Sequence, residues 1–362
     1  MRYSYLLIIL VFLFPGCRHS KTGTHYVFYK ADSQRTGWFK TKGVKELHKV
    51  KWTFNASEIL TTPIIYRNMV IITATNGGLI YFVDIETGEP LGYLNLAFYS
   101  NTPAIRNDTL FIPSIGALYV FAFDTNNLKW VCDVNGVENP IIYKDKIFLQ
   151  TRDSICAVKF GIWQKVWTFP GETGVFSSMA MDSSLLFLTI EDEYRRYAKL
   201  CCIDASTGKA VWIQKRGCVS ETPAVADGMV FMGGKDRFFY TFDEWTGKVI
   251  WKFDAGSEIT TSAAVTSDAV YFGCINKNLY CLDIHTGKKK WVFHGPAEIT
   301  CDPVYADGIV YFACMHKFFA LDAQTGKVLW TFDAGSFIKA SPLVHEGVVY
   351  VGSVNGILYA LM

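Results

Sequence analysis

Net charge is scarce in this 362-residue chain: 35 basic and 33 acidic residues leave +2. That argues against a nucleic-acid partner held by a broad basic field. Blocks of like charge are missing, and so are long Pro-, Ser- or Gln-rich stretches, so nothing marks a charged tail or a low-complexity linker. No CxxC pair occurs, which removes the usual zinc-ribbon, redox and haem-attachment spacings. P-loop, HExxH and GxGxxG patterns are absent, as is the order of a Ser-His-Asp triad; each would have placed chemistry on a known local geometry. No apolar run approaches the roughly 20 residues of a membrane-spanning helix, and helical periodicity never lasts long enough to compete with strands. What is abundant is apolar surface. Half of the residues are hydrophobic and 15% are aromatic, enough for a large core.

Residues 1–16 read as an export signal. One Arg precedes nine apolar residues, Leu6 to Phe14, and a small residue stands before Cys17, the layout of a secretory signal. The ending LFPGC resembles a bacterial lipobox, which implies cleavage before Cys17 and lipidation of its thiol. Gly16 fits that pattern, whereas Phe14 and Pro15 depart from it. The alternative is an ordinary cleaved signal with an incidental Cys. Residues 17–45 then form the lipidated Cys, a polar tether and a lead-in. The expected location is the periplasm, with the anchor in the bacterial outer membrane.

Ten cysteines are present, so nine remain if Cys17 carries lipid. An odd number cannot all pair within one exported chain. Most stand where the repeats described next carry Ala or Ser: Cys281 matches Ala360, and Cys274 matches Ser353. They are expected to be small buried residues, not a disulfide framework or a metal site.

A phrase recurs about every 40 residues, the spacing of propeller blades. It reads DIETGEPL at Asp84, DASTGKAVW at Asp204, DEWTGKVIW at Asp243, DIHTGKKKW at Asp283 and DAQTGKVLW at Asp322, with degenerate copies at Asp124 and Lys159. Its Trp falls at Trp52, Trp130, Trp167, Trp212, Trp251, Trp291 and Trp330, and Leu91 replaces it once. A small-residue–Pro step ends at Pro63, Pro103, Pro140, Pro223, Pro303 and Pro342. An alternating strand follows each step, then a short turn, then a second strand such as ILYALM. These short runs bounded by Gly, Asn and Asp predict four antiparallel strands per unit. In the phrase itself, Asp accepts from turn amides and Gly supplies a positive φ. The Trp on the outermost strand fills the space against the next unit. A single unit cannot bury its own faces, so the phrase has to recur.

The fold expected is all-β: one eight-bladed propeller over residues 46–362. The last unit stops at Met362 after its third strand, while an unpaired outer strand, KVKWTF, precedes the first unit. Placing this N-terminal strand on the last blade removes the open edge.

The Asp–TGK–Trp phrase, with SP…VYVGS…LYAL, resembles the quinoprotein (PQQ-like) propeller repeat over nearly the whole mature chain. FYKADSQRTG, from Phe28, resembles the lead-in of such proteins. The resemblance implies one of two roles. One branch holds PQQ- and calcium-dependent alcohol and sugar dehydrogenases. The other holds bare propeller lipoproteins similar to BamB, a scaffold subunit of the outer-membrane barrel-assembly machinery. Fold does not decide between them.

The reading adopted from the residues is a monomeric, non-enzymatic, lipid-anchored scaffold with no cofactor and an envelope protein as partner. PQQ and calcium enter only under the dehydrogenase alternative, and a sensor or carbohydrate-binding propeller is the third reading. Contacts are expected on the face where the loops vary. Candidates are Glu258 and Glu298 in interblade loops, with Glu58 at the matching position and Glu221 nearby in its own loop, and Lys235, Arg237, Lys277 and Lys317 between second and third strands. The longest insertion supplies Glu191, Asp192, Glu193, Tyr194, Arg195 and Arg196; Arg and Tyr are favoured at interfaces. Cross-ring pairing of the loop charges would instead make them purely structural.

Overall fold

The last strand of the chain, Ile357–Leu361, pairs antiparallel with Val50–Asn55, placing Trp52 opposite Ala360. The N-terminal strand therefore completes the C-terminal blade and closes the ring. The computed structural model describes residues 26–27, 29–75, 77–96, 101–114, 116–134, 138–151, 154–171, 179–191, 197–217 and 222–362. The segment expected to be an export signal, residues 1–16, and Cys17 lie outside the described residues.

Eight sheets surround one axis, each with a core of four antiparallel strands. Numbered along the chain, blade 1 runs from Ile64–Tyr66 outward to Pro90–Asn95, and blade 4 from Ala180–Asp182 to Ala210–Gly217. Blade 8 runs from Leu343–His345 to the closing strand Val50–Asn55. The second and third strands are buried on both faces, as in Val348–Gly352 and Phe238–Asp243, and are accordingly rich in Val, Phe and Tyr. Outer strands alternate between exposed and buried residues, because only one of their faces meets a neighbour.

The recurring phrase joins one blade to the next. The Trp167 indole N–H donates to the Ala205 carbonyl at 3.1 Å, Trp212 to Glu244 at 2.9 Å and Trp251 to Ile284 at 2.9 Å. Trp52 and Trp291 repeat the bond to Ile85 and Ala323. Each acceptor lies in the turn phrase of the following blade. At the seam blade 8 has no such turn, and Trp330 donates instead to Val44 of the lead-in at 2.7 Å. The Tyr311 hydroxyl accepts from the Val44 amide at 2.6 Å. The lead-in thus supplies the contact that a continuous repeat would have made. Trp130 lies in the outer strand Asn127–Val134 of blade 2.

Two faces result. The turn face carries the tight first-to-second and third-to-fourth strand turns. The loop face carries the interblade loops and the second-to-third strand connections.

Candidate functional site: the loop face and the filled axis

Each inner strand leaves the loop face, six of the eight beside a small-residue–Pro step, and runs to the turn face. Tyr26–Val27 pairs antiparallel with the inner strand of blade 2, and Trp38–Phe39 pairs parallel with that of blade 7. Those directions define a path. The chain enters the axis from the turn face, reverses near the loop face, and leaves by the turn face. Along it, Ser33, Gln34, Thr36 and Gly37 carbonyls accept from the amides of Met181, Val225, Val265 and Tyr305 at 2.7–2.9 Å. Inner strands of blades 4, 5, 6 and 7 thereby hydrogen-bond to one N-terminal segment, which runs through the centre of the ring.

Side chains lock this plug at its loop-face end. Lys30 and Arg35 are each 1% exposed. Lys30 Nζ donates to the Ala263 carbonyl at 2.9 Å, and Arg35 Nε to the Met179 carbonyl at 3.0 Å. Both carbonyls stand at the entrance of an inner strand, where the ladder has not yet begun and the C=O is free to accept. Arg35 also donates to the Tyr29 carbonyl at 2.7 Å and lies over the Tyr29 ring. Burial lowers the Arg35 guanidinium to about 10, which still leaves it charged at neutral pH.

Two acids stand at the axis: Asp32 within the plug, which accepts from the Thr36 amide and hydroxyl, and Asp302. The Asp302 carboxylate accepts from the Tyr29 hydroxyl at 2.6 Å, the Ser341 hydroxyl at 3.2 Å and the Ser262 amide at 2.9 Å, and Lys30 Nζ stands 3.7 Å away. Burial, reinforced by the Asp302 charge, raises the Tyr29 phenol well above its ordinary value, so it remains a donor. Sequence reading missed Tyr29, Lys30, Arg35 and Asp302 as a group. One signal was present: before the step prolines stand Thr62, Thr102, Asn139, Thr222 and Ser341, and Asp302 is the charged exception.

The loop-face candidates are spread around the rim instead of gathered. Lys235 and Arg237 belong to blade 5, Lys277 to blade 6 and Lys317 to blade 7; Glu258 and Glu298 lie in the interblade loops between them. Backbone bonds tie these loops together: the Ile275 amide donates to Glu258, and the Gly295 amide to Lys277. Two loop-face ion pairs among the described residues lie within a blade. Arg237 meets Asp254 at 3.3 Å, and His316 meets Asp333 at 2.9 Å, because each connection folds back over the end of its own outer strand. Glu191 ends a strand of blade 4 on this face, whereas Asp192, Glu193, Tyr194, Arg195, Arg196 and Glu221 lie outside the described residues.

A calcium ion takes about 6–8 oxygen ligands. Here Glu258, Glu298 and Asn101 sit in different loops, the Glu58 carboxylate accepts the Gly77 amide at 2.8 Å, and Asp302 is engaged as above. Among the described residues no three His, Cys, Asp or Glu side chains converge. These donors do not fit a calcium ion. Cys201 and Cys202, adjacent on one strand, project into different hydrophobic clusters. Both are buried thiols outside any disulfide, as are Cys156, Cys274, Cys281, Cys301 and Cys314. The turn face holds a groove of about 810 Å³ at the seam, lined by residues that include Lys42, Lys45, Arg67, Glu86 and Glu346, a mixed-charge surface.

Comparison with known proteins follows this geometry. A family model described as outer membrane protein assembly factor BamB matches residues 161–293 and 293–362. The quinoprotein alcohol dehydrogenase PedE of Pseudomonas putida is 41% identical over 64 residues, 17% of this chain and 10% of the dehydrogenase. This chain therefore matches a small part of that relative. Among solved structures, the quinohemoprotein alcohol dehydrogenase of Comamonas testosteroni superposes with a TM-score of 0.77 at 13% identity, over 92% of this chain and 80% of that one. BamB from Moraxella catarrhalis superposes with a TM-score of 0.67 at 15% identity, over 87% of this chain and 99% of that one. At such identities the superpositions show the fold alone.

Proposed function

Since this chain belongs to the outer membrane protein assembly factor BamB family, we propose that it is a non-enzymatic, protein-binding propeller of the cell envelope that serves β-barrel assembly. The observation that carries this reading is the filled axis. The chain's own N-terminal segment runs through the centre of the ring, and Lys30, Arg35 and Asp302 are engaged in holding it. What remains for recognition is the rim of the loop face, with the 192–196 insertion, Lys235, Arg237, Lys277, Lys317, Glu258 and Glu298. A rigid ring presenting loops loses little conformational entropy on binding. Cys17 carries the anchor in this proposal; a bacterial lipoprotein bears several acyl chains, and one alone would hold it only marginally.

The test is crosslinking in native envelopes, using the full chain with a C-terminal tag, followed by mass spectrometry. Enrichment of a barrel-assembly subunit over a control lipoprotein is expected, and deletion of 192–196 reduces it at unchanged melting temperature. No enrichment removes the assembly role. A Cys17→Ser chain that still partitions with the outer membrane removes the anchor.

A second reading, a PQQ-dependent oxidoreductase, draws support from the 64-residue match to PedE. It predicts that the purified chain supplied with PQQ and calcium gains the quinone absorbance and reduces a dye. Failure of both removes it.

A further inference from the structure

The joint between blades 4 and 5 is built unlike its counterparts. In the turn phrase, the residue after the Asp seals the joint to the preceding blade. Ile85, Ala205, Ile284 and Ala323 are buried there, in the apolar clusters that also hold Trp52, Trp167, Trp251 and Trp291. In blade 5 that residue is Glu244. It is 3% exposed, and its backbone is held as in the other copies. The Glu244 amide donates to the Gly228 carbonyl at 2.9 Å, and the Glu244 carbonyl accepts the Trp212 indole N–H at 2.9 Å. A carboxyl therefore sits where the fold elsewhere places a methyl or a branched alkyl group.

The groups around this carboxyl are acids. Asp182, at the end of the inner strand of blade 4, and Asp243, next to Glu244 in the chain, both oppose its ionisation. The buried Cys202 thiol of blade 4 feels the Glu244 charge. Asp204 in the turn of blade 4 and Asp227 in the first turn of blade 5 are two further acids, the latter 3.8 Å from His285. Asp182, Asp204 and Asp243 accept hydroxyls of their own turns, from Ser183, Ser206 and Thr246. Lys209 and Lys248 follow the turn glycines and are exposed. Among the described residues, neither a hydrogen-bond donor nor a cation favours the ionised Glu244.

A neutral carboxylic acid is tolerated at such a position, whereas a carboxylate without partners is costly there. The turn offers it a way out. Rotating Asp243–Lys248 away from blade 4 brings the carboxylate into water and gives up only two hydrogen bonds of the joint, Glu244 to Gly228 and Trp212 to Glu244. Gly247 of the same turn packs directly against the Trp212 indole, so the indole loses its seat at the same time. In the joint of blades 5 and 6, Ile284 gives the matching turn no such reason to move.

We propose that Glu244 makes the joint of blades 4 and 5 a proton-controlled latch, closed while the carboxyl keeps its proton and opening locally when that proton passes to solvent. The closed joint holds the proton more tightly than the open one, so opening is favoured as pH rises. The latch is independent of the scaffold role and concerns one joint of the ring, not global unfolding. Its test is hydrogen exchange read by mass spectrometry on the purified chain at pH 5 and pH 7, with rates corrected for the intrinsic exchange of unfolded peptides. The segment Asp243–Lys248 is compared with Asp283–Lys288, its counterpart in blade 6. Protection of Asp243–Lys248 should fall about fivefold relative to the counterpart between the two pH values. In the Glu244→Gln chain that difference should vanish, and Glu244→Ala, which restores the repeat residue, provides the same readout should the Gln chain fail to fold. An equal fall in both segments would mean that the whole ring responds, and a fall that persists without the carboxyl would place the titrating group elsewhere. Either result overturns the latch.

Discussion

Gly208 of blade 4 lies directly beneath the indole of Trp167 of blade 3: a Cβ on this glycine would come within 2.5 Å of the ring. The backbone there has a φ of +72°, so two independent reasons select glycine. One belongs to the turn and the other to the neighbouring blade. Gly247 stands in the same relation to Trp212. The repeat phrase therefore encodes an interface between blades, with its Gly and its Trp matched across adjacent copies.

That relationship predicts a coupled pair. Gly208→Ala should cost well over the ~1 kcal/mol of the left-handed conformation alone, because the indole must move. Trp167→Ala should cost about 3 kcal/mol. In the Trp167→Ala background the clash is gone, and Gly208→Ala should cost only about 1 kcal/mol. Urea denaturation of the four chains measures the cycle. Additivity within about 0.5 kcal/mol would show that the glycine serves the turn alone.

Asp302 holds the plug from below while the inner strands hold it from the sides. Its removal takes away the carboxylate 3.7 Å from the buried Lys30 ammonium and the acceptor 2.6 Å from the Tyr29 hydroxyl. Breaking a buried ion pair of this kind costs about 3–5 kcal/mol. Asp302→Ala should lower the melting temperature and expose residues 26–39 to protease before the rest of the ring. If cleavage instead begins in the blades at the parent rate, the plug does not depend on Asp302.

The buried thiols should be inert. Burial pushes Cys202, Cys274, Cys281 and Cys314 up to about 12, so almost no thiolate, the reactive form, is present at neutral pH. Treatment with iodoacetamide and peptide mapping should find all four unmodified in the folded chain and modified in guanidinium. Rapid modification of Cys202 under native conditions would mean that blade 4 opens readily.

The blades were legible because they repeat. The small-residue–Pro step, the alternating strand and the Asp–TG–Trp turn each recur, so every copy corroborates the others, and the unpaired KVKWTF strand was enough to predict the closure seen between Val50–Asn55 and Ile357–Leu361. The plug was not legible because it occurs once. Lys30 and Arg35 fall in the lead-in, outside the repeat that marks buried positions, yet both are buried against carbonyls at the entrance of inner strands. Pairing of the loop charges was hidden for a related reason. Arg237 and Asp254 are 17 positions apart in sequence, and only the hairpin brings them within 3.3 Å.

Glu244 gives the stability of this propeller an unusual pH dependence. In the other copies of the phrase this position is Ile85, Ala205, Ile284 or Ala323, so a carboxyl occupies a site built for a buried apolar side chain. Burial, followed by the nearby Asp182 and Asp243 charges, raises it from 4.5 to about 6. The folded state therefore binds more protons than the unfolded state between those values, and stability falls as pH rises through that window. The turn aspartates act with the opposite sign. The Ser206 hydroxyl holds Asp204, and Thr hydroxyls with turn amides hold Asp243, Asp283 and Asp322, below 3.8, so their contribution is complete above that value and lost as pH falls below it. The melting temperature should accordingly peak near pH 4–5 if these groups dominate. Glu244→Ala restores the repeat residue. It should raise the melting temperature at pH 7, raise it much less at pH 4.5, and flatten the decline between them. A gain that is the same at both pH values would show that Glu244 is disfavoured for its shape and not for its charge.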